Sequence, residues 1–222
     1  MGTVLILLAA SVIWHAGTPD AGWARTVGVA LEGLALVATL RISGETPRLA
    51  RLATVLVPIA VVVTAIGNTF EGDLGRLLAG VLGTLIVVAC PVAIVRSVLT
   101  HPVVNLQTVA AAICIYLLIG LCFTYLYGIE YAIFGAPFMN GVPGGRPTAA
   151  DMLYFSFITL TTTGYGDITC ATRVGRTTAM VEAMLGQLYL VTVLALLVSN
   201  LGATRRTRRD LAGPDPEAVP DV

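Results

Sequence analysis

The sequence predicts an all-α integral membrane protein: four N-terminal transmembrane helices, then a two-helix unit with a half-length, re-entrant helix between its spans. Three observations lead there. Hydrophobic residues make up 56% of the chain and charged residues only 12%, about half the charged share of a soluble domain. Stretches 52–70, 77–95 and 103–127 contain no Asp, Glu, Arg or Lys, and each approaches the roughly 20 residues that cross a bilayer as a helix. Connectors among the first five spans are short, which sets consecutive helices antiparallel as in a bundle.

The spans are expected at 3–16, 24–40, 52–69, 77–98, 103–127 and 175–202. Residues 3–14 have the apolar character of a short signal sequence, but no Arg or Lys precedes them and no small-x-small cleavage site follows. They are therefore read as the first span. Turn formers mark the links, as in Gly17-Thr18-Pro19-Asp20, Ser43-Gly44-Glu45-Thr46-Pro47 and Glu71-Gly72-Asp73. Orientation follows from arginine, since all 13 basic residues are Arg. If the spans alternate, Arg41, Arg48, Arg51, Arg96 and the Arg205, Arg206, Arg208 and Arg209 cluster share one side. The acidic 71–73 turn and the 128–150 segment take the other. The basic side is cytoplasmic, so both termini are expected in the cytoplasm of a cell whose plasma membrane holds the chain.

A formal net charge of zero gives no reason to expect a nucleic acid as partner. Cys90, Cys114, Cys122 and Cys170 lack metal-ligand spacing, so they read as neither a disulfide framework nor a zinc site. The first three are expected as small core residues and Cys170 near the outer surface. The spans hold no His/Glu/Asp metal cluster and no Ser–His pair, and His15 and His101 are far apart. Neither an enzyme nor a cofactor is expected.

The segment between spans five and six is different in kind. Residues 128–150 are rich in Gly and Pro and read as an exposed loop. Residues 151–162 are apolar but too short to cross, with Asp151 placed to cap a helix start. Non-helical backbone at membrane depth is tolerated only where protein buries it or water reaches it.

The run at the end of that short helix, Thr162-Thr163-Gly164-Tyr165-Gly166-Asp167, resembles the signature of the potassium channel family. The resemblance extends over about 103–204: outer helix, loop, pore helix, filter, inner helix. It implies a four-helix domain at 1–100 and a pore domain at 101–204, with pore helix 151–162, filter 162–166 and inner helix 175–202. A cytoplasmic tail at 205–222 is then expected to be disordered, and it is too short for a ligand-binding domain. Partners implied are three identical subunits, forming a homotetramer, and membrane lipids, with K+ as permeant ion.

A potassium ion must exchange its water for equivalent oxygens, supplied by backbone carbonyls around one axis. Glycine tolerates backbone angles closed to other residues, so Gly164 and Gly166 let the carbonyls turn inward. The resemblance implies that the carbonyls of Thr162, Thr163, Gly164 and Tyr165 coordinate K+, with the Thr162 hydroxyl closing the innermost site. Thr163 stands where Val is usual. Tyr165 is expected to point away from the ion, against Tyr154 and Phe155, while Gly166 and Asp167 support the outer mouth. Some relatives pair a pore-helix carboxylate with that aspartate; Ile158 occupies the position here, so the pairing is absent.

Glu182 lies within the last span, where an ionisable residue marks function; a hydrogen bond to the pore helix or filter backbone is expected. Gly186 is read as a hinge or as a small residue for close helix contact. Leu190, Leu194 and Val198 form a stripe that narrows the pore or faces lipid. Glu32 is expected to pair with Arg25 or lie against another helix, with no role assigned. The fourth span lacks the regular arginines of a voltage sensor, with only Arg76 and Arg96 near its ends, so strong voltage gating is not expected. A weakly selective cation channel is the alternative within the class. A potassium transporter subunit fits less well, because such chains carry four filter loops and this one has a single Gly-Tyr-Gly.

Overall fold

The computed structural model describes residues 1–18, 21–42, 47–67, 81–90, 92, 106–135, 139–142 and 145–211, without the side chains of 42, 47–50, 52, 106–107, 194 and 197–211. Apolar runs become helices throughout: α1 (Gly2–Gly17), α2 (Gly22–Ile42) and α3 (Pro47–Gly67), then α4 (Val81–Cys90). The second half holds α5 (Leu106–Phe134), β1 (Met139–Asn140), α6 (Ala149–Leu160), β2 (Thr169–Cys170) and α7 (Arg173–Leu211). Among the described residues, Gly22–Arg41 and Thr108–Phe134 are long and apolar enough to cross a membrane. α1, at 16 residues, rises only ~24 Å, less than the ~30 Å of a hydrocarbon core.

Hydroxyl groups inside these apolar helices are satisfied locally. Thr39, Thr64 and Thr124 each donate to the carbonyl four residues back, at 2.7, 2.8 and 2.9 Å, so the residue type costs little in a low-dielectric setting. The turn between α1 and α2 is pinned by Trp14, whose indole N–H donates to the Ala24 carbonyl at 2.9 Å.

One apolar cluster runs through both halves of the chain. It joins Leu8 of α1, Val29 of α2, Val57 of α3, Val87 of α4, Leu118 of α5 and Leu153 of α6. The expected 100/101 boundary lies outside the described residues, but the helices on either side of it share this core. α1 packs against α5 and α6 as well as α2.

Three features differ from the sequence reading. α5 continues to Phe134, so the first part of the expected 128–150 loop is helical. α7 continues to Leu211, so part of the tail expected to be disordered is helical. A two-residue antiparallel ladder, Met139 with Cys170 and Asn140 with Thr169, ties the chain before α6 to the segment after the Thr162–Asp167 motif.

Candidate functional site: the α6 helix and the 161–167 segment

α6 starts at a capping box. Its N-cap is Thr148, whose hydroxyl accepts from the Asp151 amide at 3.2 Å while Asp151 accepts from the Thr148 amide at 2.8 Å. Asp151 thus serves at the third helical position rather than as the cap itself, the reciprocal arrangement that satisfies two otherwise orphaned donors. The helix is docked between α5 and α7, with Met152, Leu153, Phe155, Ser156, Ile158 and Leu160 buried.

Its other end runs directly into the motif. The Thr162 amide donates to the Thr159 carbonyl at 2.9 Å and the Thr163 amide to the Ile158 carbonyl at 2.8 Å. Thr162 has φ 56°. That pair of bonds around a left-handed residue is the Schellman closure of a helix, normally built on glycine. A threonine in that conformation stores strain of order ~1–3 kcal/mol, and such residues collect at functional sites.

Positive φ recurs at Gly164 (54°) and Gly166 (79°), while Thr163 and Tyr165 keep negative values. The amides of Thr163 and Gly164 both donate to the Ile158 carbonyl, as successive N–H groups of a nest converge on one acceptor. α6 presents its C-terminus at the start of this segment, adding the partial negative charge of a helix end. The side chains behind it are coupled: Thr161 donates to the Phe157 carbonyl at 2.7 Å, and the Thr161 and Thr163 hydroxyls meet at 2.8 Å.

Beyond the segment, the Tyr154 hydroxyl donates to Asp167 at 2.7 Å. This bond holds the Asp167 carboxyl below the usual carboxylate range and pushes the Tyr154 phenol up to about 12. Phe155 turns the other way and packs edge-on against Tyr127 of α5, with ring centroids 5.1 Å apart. Tyr165 is 71% exposed on the single chain, so the expected packing of Tyr165 against Phe155 is corrected: Phe155 belongs to the core behind α6. Cys170 follows the motif in β2. It is buried, and burial pushes its thiol up to about 12, far from the reactive thiolate range.

Behind α6 lies a buried carboxyl. Glu182 of α7 meets Ser156 of α6 and accepts from the Tyr127 hydroxyl at 2.6 Å. Ser156 Oγ also lies 2.8 Å from the Gly120 carbonyl. A serine has one hydrogen and a carbonyl can only accept, so both Ser156 contacts are filled when Glu182 carries a proton. Glu182 therefore acts as a neutral cross-link between α5, α6 and α7. Gly186, one turn on, lies against Leu160: a Cβ there would be 2.9 Å from Leu160 Cδ1. Leu190 is 44% exposed; Leu194 and Val198 lie outside the residues whose side chains are described.

Sequence reasoning missed Ser156, Tyr127 and Glu130. Glu130 of α5 is buried and accepts from the Thr178 hydroxyl. The signal available was polar side chains in otherwise apolar helices, which need partners.

A half-length helix, a left-handed turn, a segment of alternating φ sign and a long following helix make up the candidate site. Residues 111–202, which contain α6, the 161–167 segment and most of α7, match the family described as Ion channel. The matched part, less than half of the chain, is similar to an ion-channel domain, and together with the apolar helices it supports a membrane protein. No curated protein and no solved structure matches it.

Proposed function

We propose that the chain is one of four identical subunits of a potassium-selective channel, conducting K+ passively through a central pore without steep voltage gating. The observation that carries the reading is the alternation of φ sign across Thr162–Gly166. Such alternation supports the reading that the carbonyls of Thr162, Thr163, Gly164 and Tyr165 turn toward one side, as dehydrated K+ requires. One such segment cannot surround an ion, so closed rotational symmetry must supply the others. Exposed Tyr165 and a row of exposed apolar residues on α7, among them Met180, Met184 and Leu188, fit a surface that further subunits and lipid cover.

Gly164→Ala tests the site. A side chain at φ 54° is strained by of order ~1 kcal/mol or more, and in a fourfold ring the strain repeats in every subunit. Potassium flux into liposomes is expected to fall at least ~10-fold with insertion and assembly preserved. Conduction with unchanged preference for potassium over sodium would show that the ion is coordinated elsewhere. A mass in detergent corresponding to a functional monomer or dimer would remove the tetramer.

A further inference from the structure

α1, α2 and α5 meet at a cluster of polar side chains that the proposed conduction path does not use. Glu32 of α2 and Ser11 of α1 are fully buried, and His15 of α1 nearly so. Ser11 Oγ donates to Glu32 Oε1 at 3.1 Å, and the Tyr125 hydroxyl of α5 donates to Glu32 Oε2 at 2.8 Å. His15 Nδ1 faces the Ser11 carbonyl at 2.9 Å, and its Nε2 meets the Tyr125 hydroxyl at 3.5 Å. Glycines make room for both rings. A Cβ on Gly28 would lie 2.6 Å from His15 Nε2, and one on Gly83 of α4 would lie 2.6 Å from Tyr125 Cε1. Four helices therefore shape the site.

Hydrogens and contacts in the cluster balance. It has four principal contacts: Nδ1 to the Ser11 carbonyl, Ser11 to Glu32, Tyr125 to Glu32, and Tyr125 to Nε2. The carbonyl only accepts, so Nδ1 carries a hydrogen. With neutral His15 and protonated Glu32, four hydrogens fill four contacts: Glu32 donates to Tyr125 and Tyr125 to Nε2. With both protons on His15 and none on Glu32, four hydrogens again fill four contacts through the Tyr125 hydroxyl. Either way the unit is neutral and satisfied. A fifth proton has no contact to occupy and leaves a net positive charge in the bundle. Losing one leaves a bond unmade and a net negative charge. Both are costly in a low-dielectric interior.

We propose that His15, Glu32 and Tyr125 form a proton-binding latch through which the N-terminal helices hold the outer helix α5, so that proton uptake there regulates the channel. The regulatory part rests on the channel reading. Acid is the loading direction: His15 lies two residues from the end of α1, and histidine is the side chain that titrates between about pH 5 and 8. Other titratable groups lie on the same helices and on those packed against them. Cys90 of α4 is buried within electrostatic reach of Glu32. Arg25 stands seven residues before Glu32 on α2, α3 carries Arg48 and Arg51 at its start, and α5 adds Cys114, Tyr116 and Cys122. On α6, which also packs against α1, the titratable residues are Asp151 and Tyr154.

The test compares wild type, Glu32→Gln and Tyr125→Phe, measuring potassium flux into liposomes and thermal unfolding in detergent from pH 8 to pH 5. Tyr125→Phe keeps the ring in its slot and removes only the hydroxyl that links acid to base. Wild-type flux is expected to change about tenfold across the range, and its melting temperature to fall on acidification. Each variant should flatten both profiles, to less than about twofold in flux. Identical profiles in wild type and Tyr125→Phe would overturn the latch. If wild type carries no potassium at any pH, the channel reading fails instead, and the melting profiles still judge the latch. A wild-type acid shift lost in Tyr125→Phe supports it, and a shift unchanged in that variant rejects it. Should Glu32→Gln fail to fold, Tyr125→Phe carries the comparison alone.

Discussion

Gly186→Ala separates a hinge from a packing contact. α7 runs unbroken from Arg173 to Leu211 through this residue. A Cβ at 186 would lie 2.9 Å from Leu160 Cδ1 and 3.1 Å from the Leu160 carbonyl carbon, with the carbonyl oxygen nearer still. Ordinary contact begins near 3.4 Å. The Leu160 backbone cannot swing aside, because it ends α6 and its carbonyl also accepts from the Tyr116 hydroxyl at 3.3 Å. Overpacking of this kind costs about 1–3 kcal/mol, and alanine's better helix propensity offsets about 1 kcal/mol of it. The net effect is destabilisation of up to ~2 kcal/mol. Gly128 of α5 is the control, since a Cβ there would meet only Met152 Sδ, at 3.7 Å. Gly128→Ala should therefore stabilise by ~1 kcal/mol. The gap between the variants isolates the overpacking, worth several degrees at ~2–4 °C per kcal/mol for a chain of this size. Thermal unfolding of both proteins in one detergent, followed by near-ultraviolet circular dichroism, measures it. A residue acting only as a hinge gains from alanine as much as Gly128 does, so equal melting temperatures would refute the packing argument.

Glu182 and α4 give two more expected outcomes. Glu182→Gln should be mild, because an amide can donate to Ser156 and accept from Tyr127 as the neutral acid does. Glu182→Ala removes the acceptor of the Tyr127 hydroxyl, at ~1–3 kcal/mol, and the bond to Ser156, and should impair conduction. Wild-type flux from the Ala variant would show that the cross-link is dispensable. Open probability should depend weakly on voltage, because α4 carries no charge between Val81 and Cys90 and one charge crossing the whole field contributes only ~2.3 kcal/mol per 100 mV. Planar-bilayer recordings showing an e-fold rise within a few millivolts, abolished by neutralising Arg76 and Arg96, would contradict this.

The helices and the special segment were legible in the sequence because both are local signals. Long charge-free runs announce helices, and Gly-Tyr-Gly after a half-length helix announces a segment of unusual backbone. What escaped was set by partners distant in the chain or by residues used against type. Glu32 finds Tyr125, 93 positions away, and no periodicity in either helix points to the other. Gly128 suggested a loop, yet α5 runs through it, since surrounding contacts override a propensity penalty of ~1 kcal/mol. Thr162 was read for its carbonyl and hydroxyl. Its left-handed backbone was hidden because that conformation ordinarily selects glycine.

The Schellman closure at Thr162 also bears on how the molecule comes apart. The amides of Thr163 and Gly164 both donate to the Ile158 carbonyl, at 2.8 and 3.1 Å. Two hydrogens of the 161–167 segment are thus held by the last full turn of α6. Local unfolding proceeds in cooperative units that share such bonds. The segment therefore has no opening transition of its own: it frays when the end of α6 frays and reseats when that turn rewinds. In exchange terms, loop and helix terminus form a single foldon, and the durability of the proposed filter is inherited from twelve residues of helix anchored at their far end by Thr148 and Asp151.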